Sequence, residues 1–378
     1  MAALTEEQAL LKDQAASWAR DDAPVSKFRE MRDSGNPDGF DKGTWESIGA
    51  MGWSGIIVPE EFDGVNMGYL TFGVVLEELG RQLTASPLLS SGLVAASALV
   101  LGGSDAQKKA WLPKVAEGAK VLTLAVDEQH RHAPLMTALT AEKKGDGFVL
   151  NGRKVAVPEA AVADAIVVAA RTSGTAGDAS GISLFLVDAT LGGIDLERLQ
   201  TVDSRGYANV TLSNVAVSAD AIIGELDQGA DLLDATLDRA RAGVAAEMLG
   251  TAAQSFDMTL DYLKNRVQFG NVIGSFQGLS HRASALYTEM EKTRSCVEAA
   301  LQAIDSGAED TALLCSLAKC KAGEFLYNMS NELIQIHGGI GMTDEFDAGL
   351  YLKRARALES MYGNRAFHRD RFATLSGF

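Results

Sequence analysis

Residues 266–277 read Arg266-Val267-Gln268-Phe269-Gly270-Asn271-Val272-Ile273-Gly274-Ser275-Phe276-Gln277. A second motif, Gln335-Ile336-His337-Gly338-Gly339-Ile340-Gly341, follows some sixty positions later. Neither motif has the regular apolar spacing of a helix interior, and each interrupts a long stretch that does. The two motifs therefore mark the ends of helices, and the fold is best worked out from the helices around them.

Four helices are predicted around these motifs. The first runs from about Asp231 to Lys264, and the second extends from about Ser275 to Ile304. The third ends at Ile336, because Gly338 and Gly339 stop it, and a shorter helix covers residues 347–360. Long helices with short connections predict an antiparallel bundle for this part of the chain.

Upstream of the bundle, the apolar period changes from about 3.6 to about 2 near Val121, which predicts strands. The segments 121–126, 165–170, 182–187 and 209–217 have the composition of strands. Residues 148–154 resemble a hairpin turn with its flanking strands. Before this block the pattern is helical again, and Thr5-Glu6-Glu7 is a signal for the start of the first helix.

These patterns predict an α+β chain of three parts. We expect an N-terminal helical domain at residues 1–120, a β-barrel or sandwich domain at 121–222, and a helical bundle at 223–378. A chain of 378 residues is too long for one ordinary core, which agrees with this division.

Composition excludes several classes of function. The net charge of −16 argues against nucleic-acid binding, which needs a basic surface. No apolar run reaches the roughly 18 residues of a membrane-spanning helix, and the N-terminus lacks the pattern of a signal peptide. Cys296, Cys315 and Cys320 form no CxxC pair, and we expect no metal site. A cytoplasmic location is predicted.

The motifs together resemble those of acyl-CoA dehydrogenases. The resemblance includes Gly52-Trp53 and Val58-Pro59-Glu60 near the N-terminus, Gly152-Arg153-Lys154 in the middle, and both C-terminal motifs. It covers nearly the whole chain and implies three domains in the order helical, β and four-helix bundle. It also implies FAD as cofactor, an acyl-CoA thioester as substrate, and electron-transfer flavoprotein as acceptor.

The resemblance further implies that each FAD is shared between two subunits. The helical domain of one subunit would hold the diphosphate and adenosine. The residues expected to do so here are Arg266, Phe269, Gln277, Gln335, Gly338 and Gly339. A guanidinium suits phosphate oxygens, and glycine lets backbone N–H groups approach a dinucleotide closely. Considered singly, Arg266 could be a solvated cation and Gly338-Gly339 a helix cap.

The half of the site that the β-domain should supply is different. Where the family has Gly-Ser-Asp, this chain has Arg131-His132-Ala133, and its Trp-Ile-Thr is replaced by Ala156-Val157-Pro158. His130, Arg131 and His132 could contact the cofactor or be ordinary loop residues. We therefore expect this chain's own flavin pocket to be lost or rebuilt.

The catalytic base is also displaced from the positions that the family uses. Tyr362 and Ala240 stand at those two positions, and Arg241, beside Ala240, is expected to bind substrate. Glu247 lies two helical turns from Ala240 on the same face, in an otherwise apolar segment. Burial would raise the pKa of such a carboxyl group and suit it to proton abstraction. The alternative for Glu247 is an ion pair with a neighbouring helix, and Glu359 is a weaker candidate.

Three hypotheses follow from the asymmetry between the two halves. The chain could be a dehydrogenase subunit that completes the FAD site of a homologous partner, as in steroid side-chain dehydrogenases. It could be a homo-oligomeric dehydrogenase with a rebuilt flavin pocket. It could also be a non-catalytic subunit that binds acyl-CoA or stabilises a partner.

Overall fold

The computed structural model describes residues 4–378 and confirms the predicted α+β fold. Helices precede the sheet: α1 Glu6–Asp21, α2 Val25–Asp33, α3 Lys42–Ala50, α4 Gly68–Arg81, a π-helical segment Leu88–Ala95, α5 Ala96–Gly102 and α6 Asp105–Ala116. The sheet contains β1 Leu122–Ala125, β2 Thr140–Lys144, β3 Gly147–Pro158, β4 Ala165–Arg171, β5 Ile182–Asp188, β6 Ile194–Leu199, β7 Tyr207–Ser218 and β8 Ile222–Ile223.

The C-terminal part is helical apart from one small hairpin. It comprises α7 Gly229–Asn265, β9 Val267–Gln268, β10 Asn271–Val272, α8 Gln277–Ser306, α9 Thr311–His337, α10 Ala348–Ser360 and α11 Arg365–Leu375. These bounds agree with the four predicted helices to within about two residues. No helix among residues 4–378 combines the length and the apolar character needed to cross a membrane.

The chain divides into two compact units. One contains Met1–Phe28, Gly73–Thr84 and Arg241–Phe378, and the other contains Arg29–Phe72 and Ala85–Ala240. The first unit holds most of the C-terminal helices. The second holds the β-domain and the helices α5 and α6.

The eight strands of the β-domain form one mixed sheet. Their order is β6-β7-β3-β2-β4-β5-β8, with β1 paired in parallel to β4. Strands β4 and β5 are buried almost throughout, and Phe148 packs edge-on against Phe185 with ring centroids 5.3 Å apart. Strand β6 was not predicted, because this edge strand is largely exposed and carries Asp195, Glu197 and Arg198.

The prediction of a hairpin turn within residues 148–154 is wrong. Strand β3 runs through Asn151 and Gly152, and the turn instead precedes it at Gly145-Asp146. Gly152 lies at a register shift between β3 and β7 with φ of 146°. A Cβ atom there would come within 2.9 Å of Leu139 Cα, so glycine permits a close approach and marks no turn.

Helix α1 begins where its capping sequence predicts. The Thr5 hydroxyl accepts from the backbone N–H of Gln8 at 3.2 Å, and the Gln8 side chain accepts from the N–H of Thr5 at 3.0 Å. This capping box satisfies two N–H groups that would otherwise lack partners at the helix start.

Within the first unit, helices α4 and α7 cross at two glycines. A Cβ atom on Gly80 would lie 2.5 Å from the carbonyl oxygen of Glu247, and one on Gly250 would lie 1.8 Å from that of Glu77. The Thr251 hydroxyl is 3.2 Å from the Gly80 carbonyl oxygen, to which it donates. The two backbones therefore touch, and no larger side chain fits between them.

We expect Gly250→Ala to destabilise the protein by about 3 kcal/mol or more, because a methyl group would overlap backbone that cannot move aside. The melting temperature should fall clearly in a thermal unfolding experiment. Gly349→Ala is the matched control, since a Cβ atom there meets nothing within 4 Å. Equal melting temperatures for the two variants would contradict the contact.

Candidate functional site

A surface cavity of about 460 Å³ lies between the ends of α7 and α9 and the β9–β10 hairpin. It is lined by Tyr262, Arg266, Gln268, Phe269, Ile273, Phe276, Leu279, Ile336, His337 and Gly338. The two sequence motifs thus meet at one place within the first unit. Three of the six predicted cofactor-binding residues, Arg266, Phe269 and Gly338, contribute to its lining.

The hairpin presents an aromatic ring to the surface beside a cation. Phe269 is 90% exposed and has φ of 53°, in a turn that continues through Gly270. Its ring meets that of Phe276 edge-on, with centroids 6.3 Å apart. The exposed ring therefore adds an apolar face to the edge of the cavity. Arg266, at the end of α7, adds a guanidinium to the same cavity.

Tyr262 and His337 also line this cavity, although neither was predicted as a site residue. The His337 ring stacks between Tyr262 and Phe346, at centroid distances of 4.2 and 4.6 Å. Its Nδ1 lies 2.8 Å from the Leu333 carbonyl oxygen. Burial lowers the pKa of His337, so the ring is neutral at pH 7 and adds no charge. The spacing of Tyr262 and Arg266, one helical turn apart, was the signal available.

The remaining predicted cofactor residues surround the cavity without forming its wall. Gln277 is the first residue of α8, Gln335 lies in the last turn of α9, and both are exposed. Gly338 ends α9 with φ of 62° and ψ of −133°, a conformation that only glycine adopts readily. A Cβ atom on Gly338 or Gly339 would meet nothing within 4 Å, so this backbone is open to a ligand.

In the second unit, Glu128 joins the start of the loop between β1 and β2 to its end through hydrogen bonds. The Glu128 carboxylate accepts from the backbone N–H groups of Ala138 and Leu139, at 3.0 and 2.9 Å. It also accepts from Lys154 Nζ at 2.7 Å. Lys154 is wholly buried and donates to the Val126 carbonyl oxygen as well. Burial lowers the pKa of Lys154, and the neighbouring Glu128 opposes that shift.

Asp127 closes the same loop by contacting His132 and Ala133, two of the residues that replace the family's Gly-Ser-Asp. Its carboxylate lies 2.9 Å from His132 Nδ1 and accepts from the Ala133 backbone N–H at 3.2 Å. The His132 side chain is only 3% exposed, whereas His130 and Arg131 are exposed. Asp127, His132 and the Ala133 backbone N–H are thus used within the loop.

The segment Ala156–Pro158 is equally committed to the β-domain. Ala156 has φ of 48°, and its N–H donates to Asn209 Oδ1 at 3.0 Å. The Pro158 carbonyl oxygen accepts from the Thr123 hydroxyl at 2.7 Å, and proline has no N–H to offer.

The two halves therefore differ in how well they fit FAD. The first unit offers a cation, an exposed aromatic ring and open glycine backbone around one cavity, a set that fits a dinucleotide. In the second unit, Asp127 and Glu128 bond within the β1–β2 loop, and Glu128 also bonds to Lys154 of β3, so these groups do not offer a flavin ring an open set of contacts.

Glu247 is buried and forms an ion pair with Arg354 on α10. Arg354 Nε and Nη2 donate to Glu247 Oε1 at 2.8 and 2.6 Å, and both side chains are 9% exposed. A charge-assisted double contact of this kind fixes the carboxylate and compensates its burial. The ion pair that the sequence left open as an alternative is thus present, and the catalytic role of Glu247 stays a prediction.

Arg241, expected to bind substrate, is wholly buried in the first unit. Its guanidinium lies over the Phe367 ring, 5.7 Å from the centroid. Lys319 is buried nearby, and desolvation lowers the pKa of Lys319 to about 7, while Glu359 opposes that shift and Arg241 adds to it. Two cations therefore share this interior.

Neither family base position holds a carboxylate. Ala240 is buried, and Tyr362 is 7% exposed. Glu359, the weaker candidate, pairs with Arg365 on α11 at 2.8 Å.

Comparison with known proteins identifies the family of the chain. Three family models match: the acyl-CoA dehydrogenase N-terminal domain at residues 5–119, the middle domain at 109–215 and the C-terminal domain at 227–375. The acyl-CoA dehydrogenase IpdE2 of Mycolicibacterium smegmatis is 30% identical over 366 residues, which are 95% of this chain and 96% of that protein.

Two solved structures are similar over almost their whole length. A variant of the Tcur3481-Tcur3483 steroid ACAD has a TM-score of 0.88 and 30% identity, covering 98% of both chains. The ChsE4-ChsE5 complex of Mycobacterium tuberculosis has a TM-score of 0.88 and 26% identity, covering 100% of this chain and 99% of that one.

We expect Glu128→Gln to cost about 3 kcal/mol of stability, since it leaves the buried Lys154 ammonium without its counter-charge. Glu197→Gln is the control, because the Arg153–Glu197 pair between β3 and β6 is exposed and should contribute nothing measurable. Thermal unfolding of both variants checks this. If Glu128→Gln melts at the same temperature as Glu197→Gln, the loop does not depend on this pair.

Proposed function

This chain belongs to the acyl-CoA dehydrogenase family of FAD-dependent oxidoreductases, and we propose that it works as one subunit of an unequal pair. In this proposal, its helical unit completes the FAD site of a homologous partner. The partner supplies the intact site for the flavin ring. The proposal is carried by a contrast between two places. Arg266, Phe269 and Gly338 line an open cavity, whereas Asp127 and Glu128 form hydrogen bonds within their own loop.

The open half supplies the contacts that a dinucleotide needs from a neighbouring subunit. Arg266 would pair with the diphosphate, and Phe269 would cover the adenine end with an apolar face. Gln277, Gln335 and the backbone at Gly338 and Gly339 would hydrogen-bond the remaining polar groups. FAD, once bound, supplies the acceptor for the hydride removed from the acyl group.

The substrate class follows from the reaction and from the similar proteins. We propose an acyl-CoA thioester that is dehydrogenated between Cα and Cβ, with a steroid side chain as its acyl group. The similarity to a steroid ACAD and to the two-chain ChsE4-ChsE5 complex supports both the bulky acyl group and the unequal pair. Electron-transfer flavoprotein is the proposed acceptor, and the location is the cytoplasm.

Two roles are open to the buried carboxylate at Glu247. As a base, it would take the α-proton onto the carboxylate whose position Arg354 fixes by two hydrogen bonds. As a clamp, it would only join α7 to α10. A purely structural role for Glu247 would favour the second candidate function, a non-catalytic subunit, because Ala240 and Tyr362 leave both family base positions without a carboxylate.

We expect the chain purified alone to hold well under one FAD per subunit, and the co-purified pair to hold about one FAD per two chains. Absorbance of the released flavin against protein concentration measures both values. In the pair, Arg266→Gln should weaken FAD binding at least tenfold, through loss of a charge-assisted contact of about 1.5–3 kcal/mol. Lys264→Gln, at an exposed neighbouring position, is the control. One tight FAD per chain in the lone protein would refute the unequal pair.

Replacing Glu247 by Gln separates its two roles. A base should lose about 10²–10⁴-fold in α-proton exchange while acyl-CoA still binds. A clamp should lose stability, and the exchanged pair Glu247→Arg with Arg354→Glu should restore it. Exchange of deuterium into the α-position and thermal unfolding give the two measurements. Full exchange activity in Glu247→Gln excludes the base.

A further inference from the structure

The turn that joins α10 to α11 contains a residue in an unusual conformation. Tyr362 has φ of 54°, in the left-handed region that bulky residues rarely adopt. Gly363 follows with φ of 106°, and a Cβ atom there would lie 2.6 Å from Phe367 Cδ1. Such conformations persist only where the surroundings impose them, and they concentrate at functional sites.

Lys319, from the middle of α9, holds both ends of this turn. Its Nζ donates to the carbonyl oxygens of Leu358, Glu359 and Gly363, at 3.1, 3.3 and 2.9 Å. The side chain is 2% exposed, so the bonds are shielded from water. An ammonium has three N–H groups, and all three are used on backbone that brackets Tyr362.

His368, from α11, fixes the turn from its other side. Its Nε2 lies 3.1 Å from the Tyr362 carbonyl oxygen, and because a carbonyl can only accept, Nε2 carries the proton. His368 is fully buried, and its ring packs edge-on against Phe367. The backbone on both sides of the tyrosine is therefore tied to buried side chains of two different helices.

The same cluster contains the residue proposed to bind substrate. Arg241 lies over Phe367, and its charge reaches Lys319. Arg241 disfavours the charged form of Lys319, while Glu359 favours it. A left-handed tyrosine that buried hydrogen bonds hold beside these charges is better explained by function than by packing.

We propose that Lys319 is a positioning residue for acyl-CoA, and that Tyr362, on the turn it holds, is a specificity residue that contacts the acyl group. Lys319 itself does not touch substrate. It fixes the left-handed turn, and the turn fixes where the tyrosine side chain stands. The inference rests on the proposed acyl-CoA dehydrogenase function.

The test uses the assembly purified with its partner subunit and a series of acyl-CoA thioesters of increasing bulk. Lys319→Met and Tyr362→Ala are compared singly and together. Lys321→Met is the matched control, since Lys321 lies on the same helix, is partly exposed and pairs with Glu289 and Glu324. For each variant, kcat, KM, FAD content and melting temperature are measured.

Lys319→Met should raise KM for the preferred thioester about tenfold and flatten the preference across the series, with FAD content unchanged. Tyr362→Ala should do the same. Because Lys319 acts through the tyrosine, the double variant should be no worse than the stronger single variant. Lys321→Met should match the wild type in all four measurements.

A Lys319→Met variant that only lowers the melting temperature and leaves the acyl preference unchanged overturns the proposal, as do fully additive effects on KM. If Lys319→Met does not fold, Tyr362→Ala decides the matter, since an unchanged acyl preference in that variant overturns it as well. A wild-type assembly that neither binds nor dehydrogenates any acyl-CoA defeats the proposed function instead, before a variant is compared.

Discussion

The contact between α4 and α7 at Gly80 and Gly250 is the constraint on which the first unit depends. Because the backbones touch there, the flanking side chains reach their partners without spanning a gap. Glu77 bonds to Arg294 on α8 at 2.5 Å, and the Tyr351 hydroxyl on α10 donates to the Arg81 carbonyl oxygen at 2.6 Å. The Glu247–Arg354 pair follows from the same crossing. Three helices are thus placed relative to α7 by buried polar contacts, which tolerate little displacement.

This rigid placement determines what the unit can present at its surface. Helices α7 and α9 end beside each other, so Arg266 and Gly338 border one cavity although 72 residues separate them in sequence. The exposed ring of Phe269 is therefore attached to a rigid part of the unit. In the second unit, by contrast, Asp127, Glu128 and Arg171 use their polar groups in hydrogen bonds to neighbouring loop residues. Arg171 alone donates to the carbonyl oxygens of Thr137, Leu135, Asp178 and Ser180. The first unit leaves its motif residues facing a cavity, whereas the second uses these polar groups in hydrogen bonds of its own.

Most of the fold could be predicted, because long helices and buried strands repeat their apolar residues at a regular period. The C-terminal helices and strands such as β4 and β5 carry that signal strongly. Strand β6 does not, since an exposed edge strand needs no apolar face. The turn predicted at Gly152 is wrong for a different reason. A glycine beside an asparagine is typical of a turn, but here it accommodates the close approach of Leu139, which only the folded sheet brings near.

By itself, the sequence determined the long helices, the buried strands, the family resemblance and the departure at residues 131–133 and 156–158, because each is a property of consecutive residues. The tertiary structure decided what those residues do for one another. That Glu247 meets Arg354, that His337 stacks between Tyr262 and Phe346, and that Lys319 reaches the turn at Tyr362 follow from the packing of separate helices. A sequence records which charges exist, but a charge acquires a partner only when the chain folds and excludes water around it.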